Sequence, residues 1–516
     1  MTSGLSAIIK NEKRTSANVF KSINPANMED VVAIYGIASI DDCRDACNAA
    51  REASVRWRAT PAPVRGEIIG NFGKLISKNK EAIARILTRE MGKPIREARG
   101  DVQEAIDTCH FFVGEGRRLY GQTIPSEMPN KEIFTYRRPV GVFACITAGN
   151  FPFAVPSWYF VPALLCGNTC VWKPSEDTPE LSRVFAELLH AAGVPAGVFN
   201  VVFGTGPETG ASLLKLVDEG LIDKVGFTGS TAVGRTIGEI CGRNLQTPCL
   251  ELGGKNPLVV CPDADLDLAA HGIAWSAFGT AGQRCTSLGN LIAHKSIKEK
   301  LLGKVLKQVS EMHVGEPTEE SISYGPMISK KFLNVHLENL NTLVKPHHKL
   351  LTAHNGRIES AQKWKQFSGN AEKGVYAYPT IVDNVKTSDD LYATETFGPM
   401  FNVLEFTELD EAIALANGTG YGLSSAIYTQ NIAAAYAFRT EISAGMTSIN
   451  NSTSGAEAHA PFGGNGKSGN GSRQSGIWVL DQFTKWQAVN WDMSGKLQLA
   501  QMDTGYISAH DYTVAP

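Results

Sequence analysis

From Val140 onward the chain alternates short apolar runs with stripes of helical period. "VGVFACIT" is continuously apolar and predicts a buried strand, with a helix from Pro152. "TCVWK" predicts the next strand, and a helix follows from Thr178. "VFNVVF", a helix from Pro207, "DKVGF" and a helix from Ser230 continue the alternation. Strand–helix alternation of this kind predicts a parallel sheet with crossover helices. A second α/β stretch runs from about Leu252 to Ala460.

The flanks read differently. The first hundred residues are expected to be helical. Ser39 followed by Asp42 has the form of a capping box ahead of Ala46, Ala49, Ala50 and Ala53. Val102, Ala105, Ile106 and Cys109 form a helical stripe. "EIFTYRRPVG" alternates as a strand does. The tail "FTKWQAVNWDMSGKLQLAQ" has strand character and aromatics placed for an edge, covered by another element or by a second subunit.

Composition narrows the partners. At 516 residues the chain is too long for one core, and 43% hydrophobic with 20% charged residues is ordinary for a globular protein. The net charge of −3 without a long basic block argues against nucleic acid and anionic membranes. The first twenty residues lack the apolar core of a signal peptide, and no run reaches the length of a membrane span. Ten cysteines without a C-x2-C pair give no support for zinc or thioredoxin-type chemistry. Reduced thiols in the cytoplasm fit best.

Several strand ends carry candidate chemistry. "FGTGPETG" holds Gly204, Gly206 and Gly210, a spacing that alone fits a tight turn as well as a nucleotide loop. "FTGSTAVG" places Gly229 and Ser230 at a helix N-terminus, where free N–H groups favour a phosphate. Lys173 and Glu176 of "WKPSEDTP" could bond ribose hydroxyls or simply be a solvated strand end. Three such ends in one βαβ series favour a nucleotide. In "LELGGKNP", Glu251 sits in an apolar strand, where burial raises a carboxyl pKa toward that of a general base; an ion pair is the plainer alternative. Asn150 in "ITAGNFP" is either a helix cap or a neutral donor to an oxyanion. "GTAGQRCTS" sets Cys285 after two glycines and beside Arg284. That is the setting of an accessible, ionisable thiol, although a free cysteine is often only a small buried hydrophobe.

Together "GQRCTS", "LELGGKNP", "FTGS", "WKPSEDTP", "ETFGP" and "PFGG" resemble the aldehyde dehydrogenase superfamily, from about Asn24 to Leu499 and in matching order and spacing. The resemblance implies an α/β fold: a Rossmann-type parallel-sheet NAD-binding domain (1–131 and 143–252), a catalytic α/β domain (253–460), and oligomerisation strands (132–142 and 478–503) in a homodimer or homotetramer. It implies Cys285 as nucleophile, Glu251 as general base and Asn150 as oxyanion donor, acting on a small-molecule aldehyde. It implies a cofactor held by Ile146, Thr147, Lys173, Glu176, Gly206, Gly210, Gly229, Ser230, Val233, Leu252, Glu395 and Phe397. Glu176 would oppose a 2′-phosphate, which favours NAD and leaves NADP open. Gly149 stands where many members have tryptophan.

"GTAGQRCT", "TSGAE" and the "VQE" ending in Glu104 resemble the antiquitin branch, the aminoadipate semialdehyde dehydrogenases. By that resemblance Glu104 and Arg284 grip an amino-acid-like substrate. His459, Pro461 and "WKPSE" depart from that branch. Phe151, Trp158 and Phe462 are expected to line the substrate tunnel. A coenzyme-A-acylating relative commonly lacks the Glu base, which this chain has. A cysteine hydrolase would leave the cofactor series unexplained.

Overall fold

A computed structural model describes residues 3–516 except 361, 363 and 506–508. Five parallel strands form the heart of a nine-stranded sheet: Cys249–Glu251, Lys224–Thr228, Val142–Ile146, Thr169–Lys173 and Phe199–Val202, in that spatial order. All five are buried on both faces, which is why they read as unbroken apolar runs. The chain starts at Val142–Ile146, moves outward through two strands, then returns to the other side of its start. The order therefore reverses between Val142–Ile146 and Lys224–Thr228. A crevice outside the carboxyl ends of strands at such a reversal is where ligands bind in open α/β sheets.

The amino-terminal flank departs from the expectation of helices alone. Four strands, Gly4–Ile9, Glu12–Ser16, Val19–Ile23 and Val31–Gly36, precede the first helix. Gly4–Ile9 lies antiparallel to Phe199–Val202 and so extends the cofactor-side sheet. Its apolar run is short, and its partner lies almost two hundred residues away. The helices that follow are as expected. Ser39 and Asp42 cap Ile40–Ala59 reciprocally, and Ile95–Arg118 buries Val102, Ala105, Ile106 and Cys109.

A seven-stranded sheet follows, with Asn256–Val260, Leu288–His294, Met400–Phe406, Thr380–Asp383, Ser424–Tyr428 and Met446–Ile449 parallel and only Lys349–Leu350 antiparallel. A third, three-stranded sheet pairs Thr484–Asp492 with Lys131–Pro139, which also pairs with Thr123–Pro125. Its outer strand exposes Trp486 and Trp491. All ten cysteines are free thiols, nine of them buried. No helix among the described residues is long and apolar enough to cross a membrane.

Candidate active site

Cys285 leaves a short turn, Gly279–Gly282, at the carboxyl end of the helix Leu266–Phe278. The loop is tied down from several sides. Asn256 donates to the carbonyls of Cys285 (2.8 Å) and Ser287 (2.7 Å). The Thr453 hydroxyl donates to the Thr286 carbonyl (2.7 Å). Glycine is required beside it: a Cβ on Gly254 would lie 2.4 Å from the Cys285 carbonyl oxygen. A preorganised loop of this kind costs no reorganisation when the thiol reacts.

One cavity of about 280 Å³ gathers Cys285, Glu251, Asn150, Glu104, Phe151, Trp158, Arg284 and Phe462, all singled out in the sequence. A larger cleft of about 550 Å³ shares Glu97 and Trp275 with it but is not lined by Cys285, Glu251 or Asn150. Asn150 is not a helix cap; it precedes the helix Ala154–Leu165, and its Nδ2 donates to the Gln283 carbonyl at 3.0 Å. An amide has two N–H bonds, so this contact fixes the side chain and leaves a second donor for the cavity.

Glu251 is buried, and neither carboxyl oxygen has a hydrogen-bond partner. Burial raises its pKa well above the usual range, against the pull of Arg473. Cys285 is partly accessible from the cavity yet deep in the molecule. Burial, then the charges of Glu251 and Glu395, push its thiol pKa well up. In a dry site the negative charge of either group opposes ionisation of the other.

At the far end of the cavity Glu104 is pushed up to about 8 by burial and by Asp101, with Lys93 opposing. The Trp158 indole N–H also draws Glu104 down as a hydrogen-bond donor to its buried carboxyl. Trp158 packs on Phe462 with ring centroids 4.7 Å apart. Phe151 lies under the Lys93 ammonium, 3.6 Å from it, and Lys93 pairs with Asp101 at 2.6 Å.

Arg284, expected as a substrate grip, lines the cavity with its charge already paired. Its guanidinium is bonded to Glu97 (2.6 Å), a residue the sequence reading missed, and stacks 4.2 Å from the Trp275 ring. Glu97 carries no motif; it lies in the first turn of a helix far away in sequence.

Most cofactor candidates follow the carboxyl ends of the parallel strands, while Glu395 and Phe397 lie just ahead of Met400–Phe406. Thr147 accepts from the Trp172 indole (2.9 Å) beside Ile146. Lys173 and Glu176 pair at 2.9 Å. Burial lowers the Lys173 pKa; burial also raises that of Glu176, but Lys173, a backbone hydrogen bond and Lys331 together bring the carboxyl down. Gly206 and Gly210 bound a tight π-turn rather than the start of a regular helix. Ser230 caps Thr231–Arg243 by accepting from the Val233 amide, and Gly229 donates to the Glu251 carbonyl (3.1 Å). Val233 is half exposed, and Leu252 packs so closely on Gly234 that a Cβ there would lie 2.5 Å away. Glu395 accepts from the Gly254 amide (3.1 Å) and is pushed up to about 7, chiefly by burial. Phe397 has φ +42° and packs on Phe332, with centroids 5.7 Å apart. Free amides at a helix N-terminus, buried Lys173 and the row of small residues fit a dinucleotide.

Residues 12–489 match the model of the aldehyde dehydrogenase family. The chain belongs to the aldehyde dehydrogenase family. It is an oxidoreductase of the class that oxidises aldehydes to acids. It is 34% identical to alpha-ketoglutaric semialdehyde dehydrogenase of Bacillus subtilis, over 92% of this chain and 95% of that one. It is 33% identical to aldehyde dehydrogenase family 7 member A1 of Malus domestica, over 96% and 94%. Among solved structures, betaine aldehyde dehydrogenase of Staphylococcus aureus in complex with NAD+ superposes with a TM-score of 0.90 at 29% identity, covering 97% of each chain. The NAD-dependent aldehyde dehydrogenase of Sinorhizobium meliloti gives 0.90 at 33% identity, covering 96% of each. The aldehyde dehydrogenase fold and the family expectation from the sequence are thus borne out.

Proposed function

We propose that this aldehyde dehydrogenase uses Cys285 as nucleophile, Asn150 as oxyanion donor and Glu251 as general base, with NAD as hydride acceptor. The observation that carries this is the single cavity holding all three residues at the end of the parallel strands. The thiolate attacks the aldehyde carbon, and the free Asn150 N–H and the Cys285 backbone N–H hold the oxyanion. Bound NAD supplies the hydride acceptor. Glu251 then takes a proton from the water that attacks the Cys285 thioester, releasing acid and thiol. Ile146, Thr147, Gly206, Gly210, Gly229, Ser230, Val233 and Leu252 would frame the adenosine and pyrophosphate portion, Lys173 and Glu176 the ribose, and Glu395 and Phe397 the nicotinamide side.

The substrate end of the cavity favours a neutral or cationic aldehyde. Glu104 presents a buried carboxyl to the cavity beside the Trp158 indole, whereas Arg284, the cation that would receive a carboxylate, is neutralised by Glu97. An aminoadipate-semialdehyde-type substrate keeps the Glu104 contact in this reading but must displace Glu97 to reach Arg284. The two large sheets serve as the cofactor and catalytic domains. The three-stranded sheet with its exposed tryptophans is the surface for a homodimer or homotetramer. Ten free thiols suit a reducing cytoplasm.

Cys285→Ala tests the core of the proposal. It should abolish aldehyde oxidation while NAD binding stays within about threefold, because the thiol touches substrate and not adenosine. Substantial turnover by this variant would remove Cys285 from the mechanism.

A further inference from the structure

We propose that Glu97 is a positioning residue for the whole nucleophile loop and the mask of the Arg284 charge. The loop needs such a device. Thr280 and Ala281 both have left-handed backbones, with φ +52° and +54°. Two consecutive non-glycine residues there are strained and persist only where surroundings impose them. Glu97 imposes them at three points. Its Oε1 accepts from the Thr280 amide (3.1 Å), and its Oε2 accepts from the Thr280 hydroxyl (2.6 Å) and from Arg284 (2.6 Å). Arg284 Nε donates back to the Thr280 hydroxyl at 3.2 Å, closing the ring.

The clamp reaches the chemistry on both sides. Arg284 directly precedes Cys285 in the chain. Gln283, between Thr280 and Arg284, presents the carbonyl that orients Asn150, and its side chain bridges the Thr280 carbonyl (3.1 Å) and the Ile328 amide (3.0 Å). A shift at Thr280 therefore moves the proposed oxyanion donor and the nucleophile together. The ion pair is nearly dry, with Arg284 and Glu97 side chains 6% and 10% exposed. Its charge balance also matters to the thiol. With Arg284 neutralised, the charges that face Cys285 are those of Glu251 and Glu395, both of which oppose ionisation. Lys93 is the further cation near Glu97.

Glu97→Gln keeps the shape but loses the charge and one acceptor. The expected result has three parts: kcat falls on the order of 10–100-fold, as for a misplaced reacting group; the NAD dissociation constant stays within about twofold; and the pH midpoint for iodoacetamide alkylation of Cys285 moves down, because Arg284 is unmasked. Unchanged kcat, a midpoint that does not move, or loss of NAD binding along with kcat would overturn the proposal. Thr280→Val, which leaves the ion pair intact, decides the positioning role if Glu97→Gln does not fold. It should lower kcat several-fold with NAD binding unchanged, and wild-type kcat would overturn that role. The inference rests on Cys285 as the nucleophile. Turnover by Cys285→Ala would defeat that reading separately, whereas an inactive Cys285→Ala beside a fully active Glu97→Gln defeats only the role of Glu97.

Discussion

Replacing Glu251 by Gln separates the two halves of the proposed reaction. The carboxyl is buried with both oxygens unpartnered, so the substitution removes a proton acceptor without breaking a hydrogen bond. The base acts after hydride has left, when water must attack the Cys285 thioester. Loss of general-base help costs ~10²–10⁴-fold in rate, equivalent to ~3–5 kcal/mol on the deacylation barrier. The first half should survive for an electrostatic reason. The Glu251 charge is one of the influences that raise the Cys285 pKa, so the neutral amide lets the thiol ionise at lower pH. Rapid mixing with NAD and aldehyde should give a burst of reduced cofactor near one equivalent per active site, then very slow turnover. The pH at which the burst appears should move down relative to that for hydride formation in the parent enzyme. Mass spectrometry of the quenched protein should find the acyl group on Cys285. Unchanged steady-state turnover would refute the assignment of Glu251. Absence of a burst would refute the order of events, because Glu251 would then be the base for the thiol as well.

Glu176→Gln should improve NADP use relative to NAD, since Glu176 carries a lowered pKa and a standing charge beside Lys173; an enzyme that already prefers NADP in steady-state assays would contradict this. Glu104→Gln should raise the melting temperature by a margin that grows between about pH 5 and about pH 8 and then levels off. The sign follows from a folded-state pKa of about 8, above the ordinary carboxyl value: the parent loses stability as pH rises through that window, and the amide has no proton to lose. A margin constant with pH in thermal scans would refute it. The same variant should lower kcat/KM for amino aldehydes more than for unsubstituted ones of equal length, and equal losses would remove Glu104 from recognition.

The cofactor sheet was legible because its strands are buried on both faces. "VGVFACIT", "TCVWK" and "DKVGF" leave no polar alternation to confuse with a helix. The capping box at Ser39 was legible because both partners lie within one turn. Gly4–Ile9 was not, because its pairing with Phe199–Val202 depends on contacts far along the chain. Gly206–Gly210 was read as a helix start and is a π-turn, since glycine spacing alone does not specify a hydrogen-bond pattern. Motif residues were easier to find than their supports. Asn256 and Thr453 lie inside "LELGGKNP" and "TSGAE", motifs that do not say what they bond, and Glu97 lies in none. Each acts through a backbone group or side chain brought near only by the fold.

Arg284 shows why a neighbour in sequence is weak evidence for electrostatics. A cation next to a cysteine lowers a thiol pKa if its charge is free. Here the guanidinium faces Glu97 and Trp275, and burial with the charges of Glu251 and Glu395 pushes the thiol pKa up. The arrangement has a chemical use. A buried thiolate beside an open cavity would be exposed to oxidants and stray electrophiles between turnovers. A thiol whose pKa is held up by burial and by its acidic neighbours ionises less readily than a free cysteine, and the Glu97-paired Arg284 is not among the groups that offset this. The same logic explains the placement of Glu251 in an apolar strand. A solvated carboxylate would carry its full negative charge against the thiol, whereas burial raises the Glu251 pKa and so weakens that opposition.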